Sequence, residues 1–136
     1  MTPSKPYLSL ELARLASQEA TAAAQKEGLR LIVAVVDEGG HLILLERMDN
    51  GAYGSIDQSI SNARHAIAHQ DRLTSGPWKG AACIEAHGCA IGAISIMAAG
   101  PRAAANKSND MEAKLQQLMQ HVLSKIDLWL TQRAAA

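Results

Sequence analysis

The spacing of apolar residues divides the first third of the chain into a helix and a hairpin. Residues 9–27 carry leucine and alanine at helical intervals, and Gly28 suits the left-handed conformation that ends many helices. Two apolar runs follow, at 31–37 and 41–47, and they flank a Gly-Gly pair. Because β-branched residues favour strands and glycines tolerate the positive φ of tight turns, this stretch predicts a β-hairpin.

A second amphipathic segment begins at Ser55, which together with Gln58 fits the capping-box pattern of a helix start. His65 and His69 lie four residues apart, so a helix places both imidazoles on one side. That side is roughly opposite the apolar stripe, which predicts a polar outer face. The expected stripe consists of Ile56, Ile60, Ala63 and Ile67.

The second half of the pattern predicts two more strands and thereby the fold class. The strands are expected at 81–85 and 90–97, with a His-Gly turn between them. With a final helix the order is α-β-β-α-β-β-α. Hairpin-linked strands pair antiparallel, so we expect an α+β fold in which helices pack in two or three layers on an antiparallel sheet of four to five strands. The length suits a single domain over residues 1–136.

The last predicted helix, from about Asp110 to Gln132, is long for a chain of this size. Asn109 and Glu112 fit a capping box at its start. At ~1.5 Å per residue the helix exceeds roughly 30 Å, so its apolar stripe extends further than a small sheet can cover. We therefore expect a homo-oligomer. The stripe consists of Met111, Leu115, Leu118, Val122, Ile126 and Trp129.

Composition narrows the classes of partner. Thirteen basic residues balance thirteen acidic ones, which argues against binding to nucleic acid or to an anionic membrane surface. No run of eighteen apolar residues and no secretory signal is recognised. Two cysteines do not make a disulfide framework, so we expect a cytoplasmic protein with free thiols.

Two short sequence motifs in the first half of the chain indicate a family. Asp-Glu-Gly-Gly-His at 37–41 and Glu-Arg-Met-Asp at 46–49, around two aliphatic strands, resemble the GlcG/HbpS-like family, which includes the C-terminal domain of PduO-type proteins. The resemblance continues through Gly-Ser-Ile-Asp at 54–57. Members often carry Lys-Ala-Arg-Thr-Ala where this chain has Asn-Ala-Arg-His-Ala at 62–66. The family's Gly-Gly-Gly-x-Pro segment is absent, and a partial echo of the segment that follows it remains at 91–96.

The resemblance implies a small α+β domain that binds a small ligand, with haem or a related tetrapyrrole as the candidate cofactor. Four side chains are the candidate ligand-binding residues: Arg47, Arg64, His65 and His69. An arginine fork can clamp a carboxylate through two hydrogen bonds, although a surface ion pair with Glu46 or Asp49 is the commoner role of Arg47.

Iron ligation has three alternative candidates, His65, Cys83 and His87, since imidazole and thiolate are both haem-iron ligands. The spacing of Cys83, His87 and Cys89 matches neither a zinc knuckle nor a covalent haem attachment motif. A buried structural cysteine and a solvated histidine face are the ordinary alternatives. Met48 and Met97 are further candidate contacts for a flat apolar ligand, although packing in the core is the ordinary role of methionine.

Two other functions stay open on the sequence. One is a small-molecule catabolic enzyme, a lyase or isomerase, that uses His65 with Arg64 or Arg47 on an organic acid. The other is a structural or accessory oligomer with no ligand of its own. A Soret band that shifts on titration, saturable turnover, or co-purification with a partner would distinguish these three functions.

Overall fold

A computed structural model describes residues 6–49, 54–74, 80–98 and 109–134. Within them the predicted order α-β-β-α-β-β-α is confirmed, and the sheet has four strands. The elements are α1 (Leu10–Lys26), β1 (Leu31–Asp37), β2 (Leu42–Arg47), α2 (Gly54–His69), β3 (Ala81–Ala86), β4 (Cys89–Ala98) and α3 (Asn109–Ala134).

The sheet is antiparallel throughout, in the order β2-β1-β4-β3. β1 is central, and its residues Leu31 to Val36 are all fully buried, which explains its continuous apolar run. The outer edge of β3 is covered by the segment that follows α2. Cys83 N donates to Asp71 O at 2.7 Å, and Thr74 N donates to Ala81 O at 2.8 Å. These bonds satisfy edge groups of β3 that would otherwise be open to another chain.

Local signals set the limits of α1 as the sequence predicts. The Ser9 hydroxyl accepts a hydrogen bond from Leu12 N at 3.1 Å and caps the helix start. Gly28 has φ 69° after the helix, and Leu29 N donates to Ala24 O at 2.8 Å. This is the left-handed C-terminal motif that glycine makes without steric cost.

The two faces of the sheet carry different helices. We call the face covered by α1 and α3 the helix-pair face and the face covered by α2 the α2 face, so the domain has three layers. The helix-pair face buries large apolar side chains, among them Leu12, Leu31, Val33, Val35, Ile94, Ile96, Met119, Val122 and Ile126. The α2 face buries a smaller cluster of Val36, Ala63, Ala66, Ile67, Ala81, Cys83 and Ala93.

Polar contacts join α1 to the antiparallel α3 along their length. Glu11 pairs with Arg133 at 2.7 Å near one end, and Glu19 Oε2 lies 3.0 Å from His121 Nε2 in the middle. The 26 residues of α3 span ~39 Å against ~25 Å for the 17 residues of α1. The predicted length of the last helix is therefore confirmed.

The predicted stripe of α2 requires a correction. Ala63 and Ile67 are buried, but Ile56 and Ile60 are only half-buried. The buried positions also include Ser59, Asn62 and Ala66, so the contact face is turned toward small and polar residues. Small side chains at most of these positions let the helix approach the sheet closely. The two predicted capping boxes involve Ser55 and Asn109, whose side chains lie outside the described residues.

Candidate functional site

The inner side of α2 meets the sheet through hydrogen bonds as well as apolar contacts. Ser59 Oγ and Ser95 Oγ lie 3.2 Å apart in a fully buried pair that joins the helix to β4. Gln58 Nε2 donates to the buried Asn62 Oδ1 at 2.7 Å. Asn62 occupies the position where the resembling family carries lysine, and here it belongs to the packing between helix and sheet. The buried polar side chains on the inner side of α2 thus have hydrogen-bond partners.

Arg64, a predicted ligand-binding residue, fastens the hairpin turn to α2. Its Nε donates to Gly40 O at 2.9 Å. The turn itself is organised by Asp37, whose Oδ1 accepts from Gly39 N and from His41 N, both at 2.9 Å. Desolvation raises the pKa of this carboxyl, but these hydrogen bonds and the charge of His41 outweigh it, so the pKa is lowered overall.

His65 and His69 lie side by side at the C-terminal end of α2. Their ring centres are 4.2 Å apart and the ring planes make an angle of 43°. The Asp71 carboxylate is close to the same pair, with its Oδ2 3.9 Å from His65 Nε2. The side chain of His65 is 23% exposed and that of Asp71 is 42% exposed, so solvent reaches the cluster. The helical spacing alone predicts the histidine pair.

Asp71 is the member of this cluster that the sequence interpretation missed. Its backbone N donates to Ala66 O at 3.0 Å, and its carbonyl accepts from Cys83 N at 2.7 Å. Gln70 before it takes φ 52°, a left-handed conformation that reverses the chain after the helix. The signal available in the sequence is an acidic residue two positions after His69, but only the bond to β3 fixes where it lies.

The other two candidate iron ligands, Cys83 and His87, differ from the histidine pair in burial and in chemistry. Cys83 is buried in the α2 face, and burial, with smaller effects of Glu85 and Asp71, raises the pKa of its thiol to about 11. A thiol of that pKa is protonated at neutral pH and is a weak nucleophile and a weak metal ligand. His87 lies exposed at the β3–β4 turn with φ 54°. Both assignments to iron stay predictions.

Arg47 and the two methionines complete the predicted set. Arg47 is exposed on β2, opposite Ile32 of β1. Met97 pairs with the same Ile32 from β4 and is half-buried. Met48 packs against the core of the helix-pair face, and its Sδ accepts a hydrogen bond from Leu31 N at 3.2 Å. Met48 therefore has a structural role at the end of the sheet.

Two cavities bear on the size of a ligand. One, of about 40 Å³, lies between β3 and α3 and is lined by Arg72, Cys83, Glu85 and Asp127 among others. The other, of about 380 Å³, is an open groove between α1 and α3 beside Arg14, Leu15 and Trp129. The first cavity is far below the ~300 Å³ of a small-molecule pocket. The second reaches that size, but its lining carries no histidine, cysteine or methionine.

Two further features of the described residues concern membrane and metal binding. No helix in the described ranges is long and apolar enough to cross a membrane. Among the same residues, no three His, Cys, Asp or Glu side chains form a group that could hold a metal ion.

The first half of the chain matches the sequence model of one protein family. The sequence model of the family described as "Haem degrading protein HbpS-like" matches residues 8–76, just over half of the chain. This range contains α1, the hairpin and α2, and with them Arg64, the histidine pair and Asp71. No curated protein matches the chain.

Solved structures extend the similarity to nearly the whole chain. Protein ORFY of Klebsiella pneumoniae is 20% identical with a TM-score of 0.70, and the match covers 93% of this chain and 97% of that one. HbpS is 23% identical, with a TM-score of 0.68 and coverage of 90% and 92%. PduOC, solved as a complex with haem, is 16% identical, with a TM-score of 0.68 and coverage of 88% and 94%. At these identities the likeness establishes a shared fold.

Proposed function

Because this chain belongs to the HbpS-like family, we propose that it binds a small hydrophobic ligand of the tetrapyrrole class, with haem as the candidate. The match to a family described by haem degradation carries this proposal. It is supported by PduOC, whose structure is a haem complex and shares the fold over 88% of this chain.

The donor chemistry of α2 fits such a ligand. Neutral imidazole is a strong axial ligand of haem iron, and His65 and His69 present two imidazoles at a solvent-reached helix end. His65 would hold the haem iron, because it replaces the threonine in the segment that otherwise resembles the family. Cys83 is disfavoured because its raised pKa keeps the thiol protonated. Haem would supply redox and oxygen chemistry, while α2 would bind and orient it.

The size of the cavities bears on how haem would be covered. The cavity between β3 and α3 holds only about 40 Å³, and the larger groove offers no imidazole. We propose that the outer surface of α2, with His65, would hold haem and that a second copy of the chain would cover it. The middle of the α3 stripe, at Leu118, Val122 and Ile126, is buried within the domain. Its remaining members Met111, Leu115 and Trp129 are half-buried and Leu128 is 51% exposed, which supports such a homo-oligomer. Static light scattering at micromolar concentration would measure it, and a 14.4 kDa particle would contradict it.

A haem titration tests the ligand directly. The unmodified protein should give a saturable Soret shift with one haem for each binding unit. His65→Ala should weaken binding or move the Soret maximum, whereas His121→Ala should change neither. His121 is a suitable control because it is an exposed imidazole on α3 that pairs with Glu19 of α1, and both helices lie on the face of the sheet opposite to α2.

The outcomes separate the ligand from its contact residue. If the unmodified protein shows no saturable spectral change, the tetrapyrrole proposal is wrong. If only the assignment to His65 fails, the His65→Ala spectrum will match that of the unmodified protein. The same titration on His69→Ala and His87→Ala would then identify the residue that contacts iron.

A further inference from the structure

We propose that His65 and His69 form a chelating site for a bare divalent transition-metal ion, Cu²⁺ above all, with Asp71 as a supporting carboxylate. This site goes beyond haem binding, because it needs no porphyrin and uses both imidazoles on one ion. The histidine pair and its surroundings carry the inference.

The ring geometry suits one ion. An imidazole nitrogen bonds a divalent ion at ~2.0–2.1 Å, which puts the ring centre roughly 3 Å from the metal. Two ring centres 4.2 Å apart then share an ion at close to a right angle, once rotation about χ2 turns a nitrogen of each ring toward it. A right angle between neighbouring ligands is the geometry of tetragonal Cu²⁺ or Ni²⁺ sites, and Cu²⁺ leads the affinity order.

The backbone around the pair favours a cation. His69 is the last residue of α2, and His65 lies one turn before it. The C-terminal end of a helix carries a partial negative charge from its unpaired carbonyls, which stabilises positive charge nearby. Because His65 and His69 lie four residues apart on one helix, their rings are already neighbours and lose little conformational freedom when they bind one ion.

Asp71 adds a carboxylate at a fixed place. Its Oδ2 is 3.9 Å from His65 Nε2, beyond hydrogen-bond distance, so it acts through charge or through a bridging water. Hydrogen bonds to Ala66 and Cys83 hold its backbone against the helix end and β3. A carboxylate beside a metal-binding imidazole raises ligand basicity and orients the ring. Since the described residues form no group of three metal-binding side chains, water completes the coordination.

Titration of the apo protein with Cu²⁺ tests the site, followed by visible absorption, electron paramagnetic resonance and calorimetry. We expect one Cu²⁺ per chain with nitrogen hyperfine coupling from two imidazoles. His65→Ala and His69→Ala should each weaken binding by roughly 100-fold, because each removes the second arm of the chelate. Asp71→Asn should weaken it by roughly 10-fold. Alanine favours helix, so circular dichroism should show that both histidine variants stay folded.

Two controls decide between this site and others on the chain. His121→Gln removes an imidazole from α3 and should leave Cu²⁺ binding unchanged. Cys89→Ser removes the exposed thiol, a soft ligand open to solvent, and should also leave it unchanged. The proposal is overturned if the double variant of both histidines binds Cu²⁺ as the unmodified protein does, or if the spectrum depends on Cys89.

The test also separates this site from haem binding. A chain that binds Cu²⁺ at the pair and shows no Soret shift would retain the metal site and lose the tetrapyrrole proposal. A chain that binds haem while neither histidine variant alters its affinity for Cu²⁺ would do the reverse.

Discussion

The two faces of the sheet bury different chemistry. The helix-pair face buries leucine, isoleucine, valine and methionine, together with alanine, from three strands and two helices. The α2 face buries mainly alanine and includes three polar side chains between helix and sheet, Ser59, Asn62 and Ser95. A large apolar side chain contributes about 1.5–3 kcal/mol on burial, and alanine much less. Most of the stability therefore comes from the helix-pair face, while the titratable residues of the candidate sites belong to α2 and its surroundings.

A charge in the helix-pair face should have the largest effect on stability. Val35 is fully buried at the centre of β1, so Val35→Asp places a carboxylate among apolar side chains at a cost on the order of 4 kcal/mol. This cost is close to the whole free energy of unfolding of a marginally stable small domain, so we expect the variant to yield little soluble, folded protein. Leu42→Asp is the control, because Leu42 is 44% exposed on edge strand β2. Equal melting temperatures of the Val35 variant and the unmodified protein would contradict the placement.

A matched pair of glycine substitutions should separate close packing from backbone strain. A Cβ at Gly92 would lie 2.3 Å from Val36 O and 2.6 Å from Leu8 Cδ1, so Gly92→Ala should cost roughly 3 kcal/mol. At Gly88, with φ +77°, nothing lies within 4 Å, so Gly88→Ala should cost only about 1 kcal/mol for the left-handed backbone. Urea unfolding of both variants measures the difference. Equal losses would mean that β4 moves away from β1 without cost.

A double-mutant cycle should measure the polar pair in the α2 face. Ser59→Ala or Ser95→Ala alone should each cost about 1–2 kcal/mol, because each leaves a buried hydroxyl without its partner. The double variant should cost less than the sum, with a coupling on the order of 1 kcal/mol. Ser17→Ala is the control, since Ser17 donates to Glu46 on the helix-pair face. Its effect should add to that of Ser95→Ala, and additivity within the Ser59 and Ser95 pair would argue against their contact.

The smallest effect is expected at the exposed turn. Its Asp37 has a lowered pKa when folded, so the stabilisation is present above the unfolded pKa near 3.8 and is lost as pH falls through the folded value. Asp37→Asn should therefore be less stable by at most about 1 kcal/mol at pH 7, since the side chain is 39% exposed. Chemical unfolding between pH 7 and pH 2 should show the two proteins converging. A constant difference across that range would exclude the carboxylate as its cause.

Elements with a local cause were predictable, and contacts between distant segments were not. Ser9 and Gly28 mark the ends of α1 through signals within four residues, so the prediction of that helix is confirmed. The pairing of His65 with His69 follows from helical spacing alone. In α2, by contrast, only Ala63 and Ile67 of the predicted stripe are buried, because hydrophobicity does not report how closely a helix can approach a sheet. The Ser59–Ser95 bond spans 36 residues and has no local signal.

The sequence by itself determined the order of elements, the family and the presence of two imidazoles on one side of α2. These depend on periodicity, turn residues and neighbours along the chain, which are local properties. The tertiary structure decided which side of the sheet each helix covers, that Arg64 reaches Gly40, and that Asp71 lies beside His65. Each of those contacts depends on residues that are distant in the sequence, so the segment between them must fold back onto the sheet. The strand register then decides which atoms come into contact.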